Sequence, residues 1–155
     1  MKYLEINYKK NEKVTLKDLL SFLNELGLLN IYNWCVAAYD ELLGVDEISK
    51  LAIPIKSVCE DIFCVNYKEL LKLSETNPHF MWISILAFPK DISKIEFKEG
   101  PYSEEAFVKG IQNPLAKIEI RAFDGVSWLI FLDESIFDAY KTKLTEKGIK
   151  VVEKK

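Results

Sequence analysis

At 155 residues, with 49% hydrophobic and 29% charged side chains, the chain has the make-up of one compact domain, long enough to bury roughly two thirds of its unfolded surface. That balance excludes a disordered polymer. The net charge of -3 excludes a global positive field that would gather nucleic acid or an anionic membrane surface, so neither is expected as a partner.

The opening "MKYLEINYKKNEK" alternates apolar and polar residues and lacks the apolar stretch and small-residue cleavage site of a secretory signal. No run of eighteen apolar residues follows, because "FMWISILAF" stops at Pro89. A cytoplasmic location is expected. Leu4, Ile6 and Tyr8 share one side of an extended chain, which predicts a first strand. "TLKDLLSFLNELG" predicts a helix: Leu16, Leu19, Leu20, Leu23 and Leu26 form a stripe, Thr15 with Asp18 makes a capping box, and Gly27 suits a left-handed stop. Residues 33–40, "NWCVAAYD", read as a second strand. Residues 41–65 carry no periodicity firm enough to assign.

Asn66 and Glu69 open a helix through "YKELLKLSE" that Asn77-Pro78 closes, with Leu70, Leu71 and Leu73 turned inward. "HFMWISILAFP" is bulky on both alternating faces and so predicts a central strand covered on both sides. "KIEF" predicts another strand, and "SEEAFVKGIQ", capped by Ser103, a short helix. "SIFDAYKTKLTEKG" predicts a helix capped through Ser135 and Asp138, and "IKVVE" a last strand. No linker or internal repeat divides the chain, so residues 1–155 read as a single α+β domain, a mostly antiparallel sheet with helices packed mainly on one face.

A single arginine, Arg121, stands among 21 basic residues, within "AKIEIRAFDGVSWLIFLDE". Asp124-Gly125 between two strand-like runs is the signature of a two-residue type I′ hairpin turn. That turn pairs Phe123 with Val126, Arg121 with Trp128, Ile120 with Leu129 and Ile118 with Phe131, leaving Ile118, Ile120, Leu129 and Phe131 on one dry face. The guanidinium would then stack on the indole, a contact worth roughly 0.5–2 kcal/mol. On this reading Arg121, Trp128 and Glu119 form a binding patch on the second face of the sheet, unless a loop or helices cover that face and Arg121 only seals it. Arginine and tryptophan are enriched at interface hot spots.

Catalytic groups are sparse. His79 is the one histidine, and it follows Asn77-Pro78, where a turn-packing role suits it better than that of a base. The paired carboxylates, Asp133-Glu134 among them, read as caps and loop ends, and neither a phosphate loop nor HExxH is present. Cys35, Cys59 and Cys64 lie among apolar neighbours and read as buried thiols of a reducing compartment; their spacing, with His79, does not suit zinc. No catalytic residue, metal or cofactor is assigned.

The order of "NW", "FMWISILAFPKD", "YSEEAF", "FDG" and the late "KG" with Val151 resembles a family of small uncharacterised bacterial proteins. That family has a tryptophan after its first helix, an apolar strand ending in an aromatic-proline pair and an acidic turn in a late hairpin. It has no assigned activity, so the resemblance implies no site residue. The expected function is a non-enzymatic protein-binding module, for example of immunity type, whose partner is a basic protein or a second copy of the chain. The alternative is a small ligand-binding domain or enzyme with Arg121, His79 and a tyrosine lining a pocket between sheet and helices.

Overall fold

The computed structural model describes residues 2–11, 14–38, 56–57, 62–76, 83–95, 111, 113–123 and 125–155. Three helices are described. Helix α1 (Leu16–Glu25) starts as its sequence dictates: the Asp18 N–H donates to the Thr15 hydroxyl, the Asp18 carboxylate accepts the Thr15 N–H, and the helix ends against Gly27 at φ +70°. Helix α2 (Tyr67–Thr76) opens with the Glu69 N–H donating to the Asn66 side chain. Helix α3 (Glu134–Glu146) is capped by Asp133, which accepts the N–H of Ser135, in place of the expected Ser135 and Asp138.

The main sheet has seven strands, β1 (Tyr3–Asn7), β2 (Tyr32–Ala38), β4 (Ile62–Val65), β5 (Ile83–Pro89), β7 (Ile118–Phe123), β8 (Ser127–Leu132) and β9 (Val152–Lys154), in the order β4-β2-β5-β7-β8-β1-β9. Every neighbouring pair is antiparallel. A small parallel pair joins β3 (Lys56–Ser57) to β6 (Lys94–Ile95), the described part of "KIEF". The α+β architecture expected from the sequence is present. The helix expected over 103–112 lies outside the described residues except for Ile111, which is not helical.

The two faces of the sheet differ. One carries Leu4, Ile6, Trp34, Val36, Ile85, Ile118, Ile120, Trp128 and Ile130, packed with the leucine stripe of α1, Leu70 and Leu73 of α2, and Phe137, Tyr140 and Leu144 of α3. The other carries a smaller cluster of Cys35, Cys64, Leu86 and Phe88 with Ile95 and Ala116. Strand β5 is central and buried from Ile83 to Phe88, because both of its faces are apolar. Polar groups entering the core keep partners: the indoles of Trp34 and Trp128 donate to the carbonyls of Leu29 and Val14, and the Tyr140 hydroxyl donates to that of Leu19. Burial drives the Tyr140 phenol far above its ordinary range.

The β7–β8 hairpin departs from the two-residue expectation by one position. Val126 N–H does donate to the Phe123 carbonyl, and Gly125 takes φ +60°, yet Phe123 pairs with Ser127. Val126 stands outside the ladder, its carbonyl accepting the N–H of Tyr8 beyond β1. Every later pair shifts accordingly: Ala122 with Trp128, Arg121 with Leu129, Ile120 with Ile130, Glu119 with Phe131 and Ile118 with Leu132. The dry face toward the helices is therefore Ile118, Ile120, Ile130 and Leu132, while Leu129 and Phe131 point away from it.

Candidate functional site

The shifted register changes what Arg121 touches. Arg121 and Trp128 project from opposite faces of the sheet, so no guanidinium–indole contact forms. Trp128 lies on the helix side, edge-on to Tyr8. On the other face a row runs straight across the sheet through Cys64, Cys35, Leu86, Glu119, Phe131 and Tyr3. Arg121, one step along, pairs through Nε with the Glu119 carboxylate, lies 4.3 Å from the centre of the Phe131 ring, and Phe131 stacks in turn on Tyr3. The Ser84 hydroxyl donates to the same Glu119 carboxylate at 2.6 Å.

Arg121 and Glu119 are both fully buried, and Trp128 nearly so. The three residues expected to make a binding patch are thus core residues in this structure, two on one face and one on the other. The arginine still has an aromatic neighbour, in Phe131 rather than Trp128. It also lies on the face away from the helices, so it does not line a pocket between sheet and helices. His79 lies outside the described residues.

The cysteines require a second correction. Cys35 and Cys64 are buried as expected, but they are directly opposed in the β2–β4 ladder and joined as a disulfide. Two of the three expected thiols are therefore paired, and Cys64 is not a thiolate ligand. Cys59 lies outside the described residues. Among the described residues no group of histidine, cysteine, aspartate and glutamate side chains could hold a metal ion, and no helix is long and apolar enough to cross a membrane.

The surface feature with the most chemistry lies at one end of the sheet. There the starts of β1 and β7 and the ends of β8 and β9 meet the first turns of α3 around a cleft of about 960 Å³. Its floor includes the buried side chains of Leu132, Phe137 and Ala116; its rim carries Lys2, Lys117, Lys155, Asp133, Glu134 and Asp138. Leu115, next to the lining residues Pro114 and Ala116, leaves 45% of its surface in solvent. Lys117 and Asp133 face each other one step beyond the β7–β8 ladder, joined by a 2.8 Å ion pair, and the Asp133 N–H donates to the Lys117 carbonyl.

The Lys117 ammonium, helped by the hydroxyl and N–H of Ser135, holds the Asp133 carboxyl at about 2, below its ordinary 3.8. The same pair lifts Lys117 above the usual lysine range. Tyr32, at the start of β2, is raised by burial and then by the Asp133 charge, with Lys117 acting in the opposite direction. The rim thus presents a fixed ion pair beside the exposed carboxylates of Glu134 and Asp138.

The sequence hid this corner for a specific reason. In a two-residue hairpin Lys117 would face Leu132; only the extra residue at Val126 brings it to Asp133. Asp133-Glu134 was legible as a cap, which Asp133 is, but nothing in the spacing ties it to Lys117. The chain matches no family model, no characterised protein and no solved structure.

Proposed function

We propose that the chain is a non-enzymatic, cytosolic protein-binding module of immunity type, which neutralises a basic toxin by covering it, and that it binds through the cleft at the sheet end. The observation that carries this reading is the make-up of that corner. An apolar floor and charged side chains around the mouth repeat the apolar centre and polar rim of a protein interface. Lys117 is paired with Asp133 and Lys2 with Glu153, which leaves the carboxylates of Glu134 and Asp138, against Lys155, to steer a basic partner, in keeping with a net charge of -3. A second reading, a small ligand in the same cleft, is favoured by a volume at the upper end of the range of roughly 300–1,000 Å³ for such sites.

The immunity reading expects a toxin gene immediately upstream, and co-expression with its product tests the proposal. Rescue of growth by the wild-type chain, and its loss with Glu134→Lys combined with Asp138→Lys in a folded variant, is the expected result. Rescue unchanged by that double variant overturns the assignment of the surface, and the absence of any toxicity to rescue overturns the immunity reading. Saturable binding of a small molecule that the double variant abolishes, without a protein partner, supports the second reading.

A further inference from the structure

Among the described residues, strand β4 is the edge of the seven-stranded sheet and only four residues long, with β2 as its single strand neighbour in that sheet. The Cys35–Cys64 bond spans 29 residues of sequence and ties this edge strand to β2 at the second of its four ladder positions. Cys64 and Cys35 also anchor the small cluster with Leu86, Phe88, Ile95 and Ala116, on the face away from the helices. Helix α2, directly after β4 in the chain, is held independently: it places Leu70 and Leu73 in the main core, and its Glu75 lies 3.3 Å from Lys17 of α1. Loosening β4 therefore need not unseat α2.

We propose that Cys35 and Cys64 form a redox latch that fixes β4 over the edge of β2. In the oxidised state the bond holds the short ladder shut. A dithiol reductant opens it: its thiolate attacks one sulfur and the other leaves as thiolate. The reductant's second thiolate then displaces the first cysteine and closes the reductant's own disulfide, so two electrons and two protons pass to Cys35 and Cys64. Both sulfurs are buried, so attack proceeds through fraying of this short strand at one end of the main ladder. Once open, β4 is held by its four-residue ladder and side chains alone, and it frays more readily. In a reducing compartment such a bond acts as a transient sensor rather than a permanent staple.

The full chain tests the latch without reference to any partner. After mild oxidation with oxidised glutathione, thiol titration of the denatured protein counts one reactive cysteine of the three, and three after dithiothreitol. Three before reduction overturn the proposal. Hydrogen exchange then compares the two states: the amides of 62–65 are expected to exchange at least tenfold faster after reduction, while 67–76 and 118–132 keep their rates. Equal rates at 62–65 overturn the latch, and acceleration throughout the chain shows a general stabiliser instead. Cys59→Ser should retain the full response, and Cys35→Ser with Cys64→Ser should show the fast rates under both conditions.

Discussion

Removing the Glu119 carboxylate is the sharpest perturbation of the core. Glu119 and Arg121 are fully buried, the carboxylate pairs with the Arg121 guanidinium and accepts the Ser84 hydroxyl at 2.6 Å, and the guanidinium lies 4.3 Å from Phe131. Glu119→Ala takes the carboxylate from a positive charge that water does not reach, which costs about 3–5 kcal/mol. Arg121→Ala takes the guanidinium from a buried carboxylate that keeps the Ser84 hydroxyl, and costs a similar amount, about 3–5 kcal/mol. Replacing both, as Glu119→Leu with Arg121→Met, removes both charges while keeping volume, and the cost should fall to about 2 kcal/mol or less. Urea unfolding followed by tryptophan fluorescence and far-ultraviolet circular dichroism measures all three. A coupling energy of about 2 kcal/mol or more is expected. Single substitutions costing below about 1 kcal/mol, or additive losses, would refute a buried, mutually dependent pair.

The same cycle discriminates between the aromatic neighbours. Arg121 should couple to Phe131 by roughly 0.5–2 kcal/mol and to Trp128 by less than about 0.5 kcal/mol, because only Phe131 shares its face. Gly125→Ala should lower stability by about 1 kcal/mol, since φ +60° strains alanine, and would show as a fall in Tm. The Asp133 carboxyl, held at about 2 in the folded chain against an ordinary 3.8, contributes stability that is present above about pH 4 and lost as the pH falls toward 2. Asp133→Asn should therefore flatten that part of the pH–stability profile, read as the urea midpoint at successive pH values; an unchanged slope would contradict the ion pair.

Legibility in the sequence followed how locally each feature is determined. Helix α1 was readable to its caps because the leucine spacing, Thr15, Asp18 and Gly27 lie within thirteen residues of one another. Strand β5 was readable as central because Ile83 to Phe88 are apolar on both alternating faces. The same property defeated the hairpin register: in β8, Trp128, Ile130 and Leu132 compete with Leu129 and Phe131 for the core, so alternation does not choose between faces. The decision fell to Val126, whose carbonyl is taken by Tyr8 from a segment more than a hundred residues away. Arg121, Glu119 and Lys117 all moved with it. The disulfide was hidden likewise, since pairing Cys35 with Cys64 depends on how β2 meets β4 across a stretch without periodicity.

The most direct test of the whole account sets surface against core. Against the purified toxin that the immunity reading expects to be encoded immediately upstream, isothermal titration calorimetry compares the wild-type chain with two folded variants. Glu119→Leu with Arg121→Met should leave the Kd within about twofold, whereas Glu134→Lys with Asp138→Lys should weaken binding by about a hundredfold, near 3 kcal/mol. The reverse pattern, binding lost with the buried pair and unchanged at the cleft, would contradict the account.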